Sequence, residues 1–139
     1  MEIDQSTEFG RRVLRRLHAE QIIWLTTVGA DGTPQPSPVW FIWEAGTLLI
    51  YSRPDAPKVR NIGRHPQVAL NFNSDAHGDD IVVLVGTAEI LLQAPTVGEL
   101  PAYIEKYRRG MASLNMTPAA FAEMYSCAIR VTPRRLRGY

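Results

Sequence analysis

The run TLLIYS ends on two hydroxyl side chains, Tyr51 and Ser52, and is soon followed by Lys58, Arg60 and Asn61 at the opening of a short predicted helix. A phosphate or carboxylate needs hydrogen-bond donors and positive charge. Strand-end hydroxyls, two cations and the free amides of a helix N-terminus supply both. The competing reading is a charged connecting loop that water solvates. Other chemistry finds less support. His18, His65 and His77 share no ligand spacing: the first lies on a predicted helix, the second before Pro66 and the third in a glycine-containing loop. The only cysteine, Cys127, excludes an internal disulfide and any multi-cysteine metal site. No Gly-x-Ser-x-Gly, P-loop or Rossmann glycine pattern occurs.

The elements that must position these groups follow from periodicity. Residues 6–20 form the first helix, capped by Ser6 or Thr7. Phe9, Val13, Leu14 and Leu17 lie on its apolar face, and Arg11, Arg12, Arg15 and Arg16 lie on a face read as solvated. Strands are expected at 22–28, 33–44, 47–52, 67–73, 80–92 and 125–132, with helices at 58–64 and across 95–124. Gly29–Gly32 and Ala45-Gly46 supply turns. In the second strand Pro34, Pro36 and Pro38 recur at every second position, so their missing donors point one way, as an edge requires. Further on, Val39, Phe41 and Trp43 share one face and Trp40 and Ile42 the other. Both faces are apolar, which implies a barrel interior on one side and a helix or second subunit on the other. Gly86 marks a bulge or close approach in the long fifth strand, and Cys127, Ile129 and Val131 point inward from the last. Thr117-Pro118 is a helix start. The pattern is mainly β: six antiparallel strands with flanking helices in a small barrel.

Length and composition set the outer limits. A chain of 139 residues, 45% hydrophobic and 21% charged, makes one domain with a proper core. A net charge of +1 argues against binding along a nucleic acid backbone. No apolar run reaches membrane-span length and Glu2 and Asp4 break any signal-peptide pattern, so the expectation is a cytoplasmic protein with no membrane partner.

The runs WLTTVGADGTPQPSPVWFIWEAGTLLIYS and KVRNIGRHPQVAL, with the closing YSCAIRVTPRRLRGY, resemble the pyridoxamine 5′-phosphate oxidase-like superfamily. The likeness covers most of the chain and is nearest to the short flavin/deazaflavin-dependent oxidoreductase branch, many of whose members use coenzyme F420. It implies a split β-barrel, normally a homodimer with the cofactor between subunits. It also implies that Lys58 and its neighbours Arg60 and Asn61 hold the cofactor phosphate, with Tyr51 and Ser52 beside it. The main chain of Ser37 to Phe41, with Ser37, Val39 and Trp40, would run along the ring; Trp40 would either flank the ring or pack in the dimer core. The Arg-x-Val-Leu-Leu-Lys-type phosphate motif of the longer vitamin-B6 oxidases is absent. The resemblance therefore points to F420, with flavin mononucleotide (FMN) as the rival cofactor and a tetrapyrrole as a further one. Arg53, Arg64 and the C-terminal arginines could meet the anionic tail of F420. The implied activity is hydride transfer from the reduced deazaflavin to a small conjugated organic substrate. The alternative is an FMN- or tetrapyrrole-binding protein without turnover. Loops 74–79 and 93–117, which would face the substrate, carry no readable motif.

Overall fold

The second strand of the sequence reading is broken in two. In the computed structural model, which describes residues 1–139, β1 (Ile23–Val28) pairs with β2 (Pro34–Val39), whereas β3 (Ile42–Glu44) pairs with β4 (Thr47–Ser52). With β5 (Gln67–Asn71), β6 (Val82–Leu91) and β7 (Cys127–Gly138) they form one antiparallel sheet, ordered β2-β1-β5-β6-β7-β4-β3. The two edges of this sheet are consecutive in the chain, joined through Trp40 and Phe41. The sheet must therefore curl back on itself as a half-barrel. There are seven strands rather than six, because the expected strand 33–44 divides at this bend.

The two apolar faces of residues 39–43 serve two cores. Val39, Phe41 and the partly buried Trp43 pack in the barrel interior with Leu25, Ile50, Leu70, Leu84 and Ile129. Ile42 and the partly buried Trp40 pack in a second cluster with Tyr103, Tyr107, Met111 and Phe121. Those four residues come from α3 (Pro101–Ser113) and α4 (Pro118–Met124), so helices of the same chain cover the second face. The expected helix over 95–124 is divided into a 3-10 turn at Val97–Glu99 followed by α3 and α4, and Thr117 caps α4 by accepting from the Ala120 amide at 3.1 Å. No helix is long and apolar enough to cross a membrane. The prolines stand where their chemistry allows: β2 has a ladder partner on one side only, with Pro38, Pro36 and Pro34 opposite Trp24, Thr26 and Val28.

Two expectations change at the last strand. The segment from Pro133 onward continues as strand through a bulge at Arg134, with Val85 opposite Arg135 and Gly86 opposite Pro133. A Cβ on Gly86 would lie 2.3 Å from the Thr132 carbonyl oxygen, so only glycine fits there. Ile129 and Val131 point into the barrel core as expected, but Cys127 is half-buried and outside both apolar clusters, while Ala128 packs in the second core.

Helix α1 (Glu8–Ala19), capped by the Thr7 hydroxyl, is less solvated than its arginines suggest. Arg11 and Arg15 face water. Arg12 and Arg16 instead pair with Asp80, and Arg16 donates to the Asn73 carbonyl at 2.8 Å and the Asp80 carbonyl at 2.9 Å, which fastens the helix to the sheet end. Strand ends need such donors, because carbonyls beyond the ladder have no strand partner.

One polar atom in the second core is unsatisfied. Tyr103 has no solvent exposure and its hydroxyl has no hydrogen-bond partner. Tyr103→Phe removes this desolvation cost and leaves the ring contacts, so it should raise stability by about 1 kcal/mol and Tm by about 3 °C. Thermal unfolding by circular dichroism measures this, and a clear loss of stability would contradict it.

Candidate functional site

The end of β2, the end of β4, the start of α2 (Pro57–Arg64) and the α3–α4 junction enclose an open cleft of about 370 Å³. Pro38, Val39 and Trp40 line it from the end of β2, Leu114, Phe121 and Tyr125 from the helices, and Tyr51, Ser52 and Arg53 from the end of β4. Lys58 stands at its edge and also lines a smaller notch of about 220 Å³ with Thr27, Gln35 and Ser37. The first space is mainly apolar and of small-molecule size, since such pockets span about 300–1,000 Å³. The second is lined by polar side chains and prolines. The two meet at a lysine.

Lys58 explains why this junction matters. It is half-buried, burial pulls its ammonium below the usual lysine range, and it makes no hydrogen bond or ion pair within the chain. A desolvated cation without a partner is unfavourable, and an anion in the notch would remove that cost. Helix α2 begins beside it with Pro57 in its first turn and no side-chain cap, so its first amides are not answered by a side chain.

The other sequence-picked residues separate into two sets. Ser37 lines the notch; Val39, Trp40, Tyr51 and Ser52 line the cleft together with Lys58. Ser52 is 3% exposed and its hydroxyl donates to the Arg53 carbonyl at 3.0 Å. Tyr51 donates to the Pro95 carbonyl, and burial raises its phenol above the ordinary range. Trp40 lies stacked between Tyr107 (4.5 Å, 4°) and Phe121 (5.2 Å, 10°), so both indole faces are occupied and only its edge reaches the cleft. Arg60 and Asn61 are outside both spaces. Arg60 is exposed and donates to the Asp55 carbonyl at 3.2 Å. Asn61 is 3% exposed; its amide donates to Thr27 Oγ1 at 3.0 Å and Gln35 Oε1 at 2.8 Å, and its oxygen accepts from Arg64 at 3.1 Å. Asn61 thus bolts α2 onto the β1–β2 hairpin, which fixes Lys58 three residues earlier.

Sequence reasoning missed Phe121 and Tyr125, which line the cleft one helical turn apart. Their spacing was readable, but their place opposite β2 follows from tertiary packing. Arg53 lines the cleft, and its nearest acid, the exposed Asp55, is 3.7 Å away. Of the C-terminal arginines, Arg134 to Arg137 lie along the far half of β7. Cys127 is the residue opposite Ser52, which puts Arg134 about 23 Å along the strand from the cleft. No histidine lines the cleft.

The family pattern described as pyridoxamine 5′-phosphate oxidase matches residues 9–138. No curated protein matches the sequence. Among solved structures, a conserved hypothetical protein from Mycobacterium tuberculosis superposes with a TM-score of 0.73 at 19% identity, covering 99% of this chain and 88% of that one. An F420 reductase gives 0.68 at 26% identity over 88% and 94% of the two chains. The heme storage protein HutZ from Vibrio cholerae gives 0.63 at 14% identity over 99% and 95%. A half-barrel closed through one bent strand, a cleft beside that bend and a match over nearly the whole length converge, and the chain belongs to the pyridoxamine 5′-phosphate oxidase family.

Proposed function

We propose that the cleft and notch hold coenzyme F420 and that the chain is a reductase of small conjugated organic molecules. The observation that carries this reading is Lys58, an unpaired, half-buried cation at the junction of an apolar cleft and a polar notch. That arrangement suits a ligand with a flat apolar ring at one end and a phosphate at the other. The likeness to the F420 reductase favours the deazaflavin over other rings. FMN, with a similar ring and a phosphate on the same kind of ribityl chain, is the second reading. A tetrapyrrole ranks below both, since the heme storage protein shares only the fold and no histidine lines the cleft.

Residues of this chain would divide the work by position. Lys58 neutralises the phosphate, and the Ser37 and Thr27 side chains border the same notch. Val39, Leu114 and Phe121 hold the ring by apolar contact and keep water from its covered face. When bound, the reduced deazaflavin supplies a hydride from C5 in a single two-electron step. No carboxylate or imidazole lines the cleft, so the proton comes from solvent or from a hydroxyl or ammonium of the lining. Alignment of donor and acceptor then carries the rate, a contribution that can reach about 7–11 kcal/mol. Arg53, at the cleft, is the cation best placed for the anionic tail. The open side of the cleft is rimmed by Leu114, 51% exposed, with Met124, 44% exposed, on the adjoining helix; a second copy of the chain covering this rim is part of the proposal.

Parallel fluorescence titration with F420 and FMN tests the reading. F420 should bind more tightly than FMN, and light scattering of the protein should give about twice the chain mass. Tight FMN binding without F420 binding would transfer the assignment to the second reading; binding of neither would remove both.

Lys58→Ala should weaken F420 binding by about 1.5–3 kcal/mol, the scale of a hydrogen bond to a charged group, which is roughly tenfold or more in Kd. The unfolding temperature should barely move, because Lys58 has no partner in the chain. An unchanged Kd in the folded variant would place the phosphate elsewhere.

A further inference from the structure

The bend that closes the sheet is held by side chains of α3 outside the cleft lining. The Phe41 amide donates to the Tyr107 hydroxyl at 2.8 Å, and that hydroxyl lies 2.8 Å from the Gln21 carbonyl oxygen and 2.9 Å from the Phe41 carbonyl oxygen. A hydroxyl has one proton to give, so two carbonyls compete for it. Lys106, the preceding residue, resolves the competition by donating to the Phe41 carbonyl at 2.9 Å, with its ammonium 3.8 Å from the Phe41 ring centre. Burial holds that ammonium down to about 8. Tyr107 is also the point where α3 leaves helical geometry, at φ −110° and ψ 15°. Its ring is stacked on Trp40, whose other face meets Phe121. Gly110 completes the seat: a Cβ there would be 2.8 Å from the Trp40 ring atoms Cη2 and Cζ2.

We propose that Tyr107 is the positioning residue of the cleft: its hydroxyl fixes the Phe41 peptide and its ring fixes the Trp40 indole, which together set the Pro38–Trp40 wall against the bound ring. The proposal rests on the reading that a deazaflavin or flavin ring lies in the cleft. Tyr107 itself does not line that space. It acts through its neighbours in the chain direction, since Val39 and Trp40 are contiguous with the peptide it holds. Lys106 supports the next peptide of the bend through the Phe41 carbonyl.

The test uses the full chain with F420 and, as a second probe, FMN. Tyr107→Phe keeps the stacked ring and removes the hydroxyl. Lys106→Met removes the second donor and leaves Tyr107 untouched, so it stands in if Tyr107→Phe folds poorly. Three quantities are read: the visible circular dichroism of the bound oxidised cofactor, its Kd, and the single-turnover oxidation of reduced F420 by menadione. In the folded variants the dichroism of the bound ring should change shape, Kd should change less than the rate, and the rate should fall about tenfold to a hundredfold, the scale of an ångström-sized misplacement. A variant with a lower Tm but an unaltered bound-cofactor spectrum and rate would reduce Tyr107 to a structural residue and overturn the proposal. A parent protein that binds neither probe would overturn the functional reading, and this role with it.

Discussion

The structure depends on one bend. Residues 34–44 are chemically a single strand, yet its halves pair with opposite ends of the sheet, with Trp40 and Phe41 between them. Because the same strand supplies both edges, the sheet cannot lie open. A bend in a strand exposes peptide groups that a ladder would satisfy, and buried peptides must find other partners. Here the partners are the Tyr107 hydroxyl and the Lys106 ammonium, which is why α3 packs where it does. The cleft is a product of this arrangement. Where β2 stops at Val39, its end, the end of β4 and the α3–α4 junction fail to close against one another.

Within that space the energetics are uneven. Most of the cleft surround is satisfied: Tyr51 has the Pro95 carbonyl, Ser52 has the Arg53 carbonyl and Trp40 has two stacked rings. Lys58 is the one cation of the lining that is both partly desolvated and unpaired. The helix that carries it is anchored, since Asn61 is bonded to both β1 and β2. A fixed helix keeps the root of this side chain in place, so less ordering remains to be done when an anion arrives.

Much of the architecture was legible in local pattern. The alternation of Val39, Phe41 and Trp43 against Trp40 and Ile42 matches the division between the barrel core and the helix-covered core. Thr7, Thr117 and Gly86 do what their types and positions imply. The illegible parts were non-local. Lys58 and Asn61 lie three residues apart on one helix and looked alike as anion ligands. They separate only because the Asn61 side chain faces Thr27 and Gln35, residues of an earlier hairpin. Arg12 and Arg16 looked solvated because Asp80 lies far along the chain. Pro133 read as the end of a strand because the bulge beside it, at Arg134, forms only where β7 pairs with β6. The surroundings of Lys58 were thus readable as a neighbourhood, while the division of its residues between cleft lining and scaffold needed the tertiary structure.

The chain contains only two lysines, Lys58 at the cleft and Lys106 at the bend, which allows the central claim to be tested at a single atom. Brief acylation with an amine-reactive ester, read by peptide mass spectrometry with and without saturating F420, reports the accessibility of each ammonium. Lys58 is predicted to be strongly protected by the cofactor, while Lys106, donating to the Phe41 carbonyl in either state, is predicted to react equally in both. Full labelling of Lys58 in protein shown to be saturated with F420 would contradict the account.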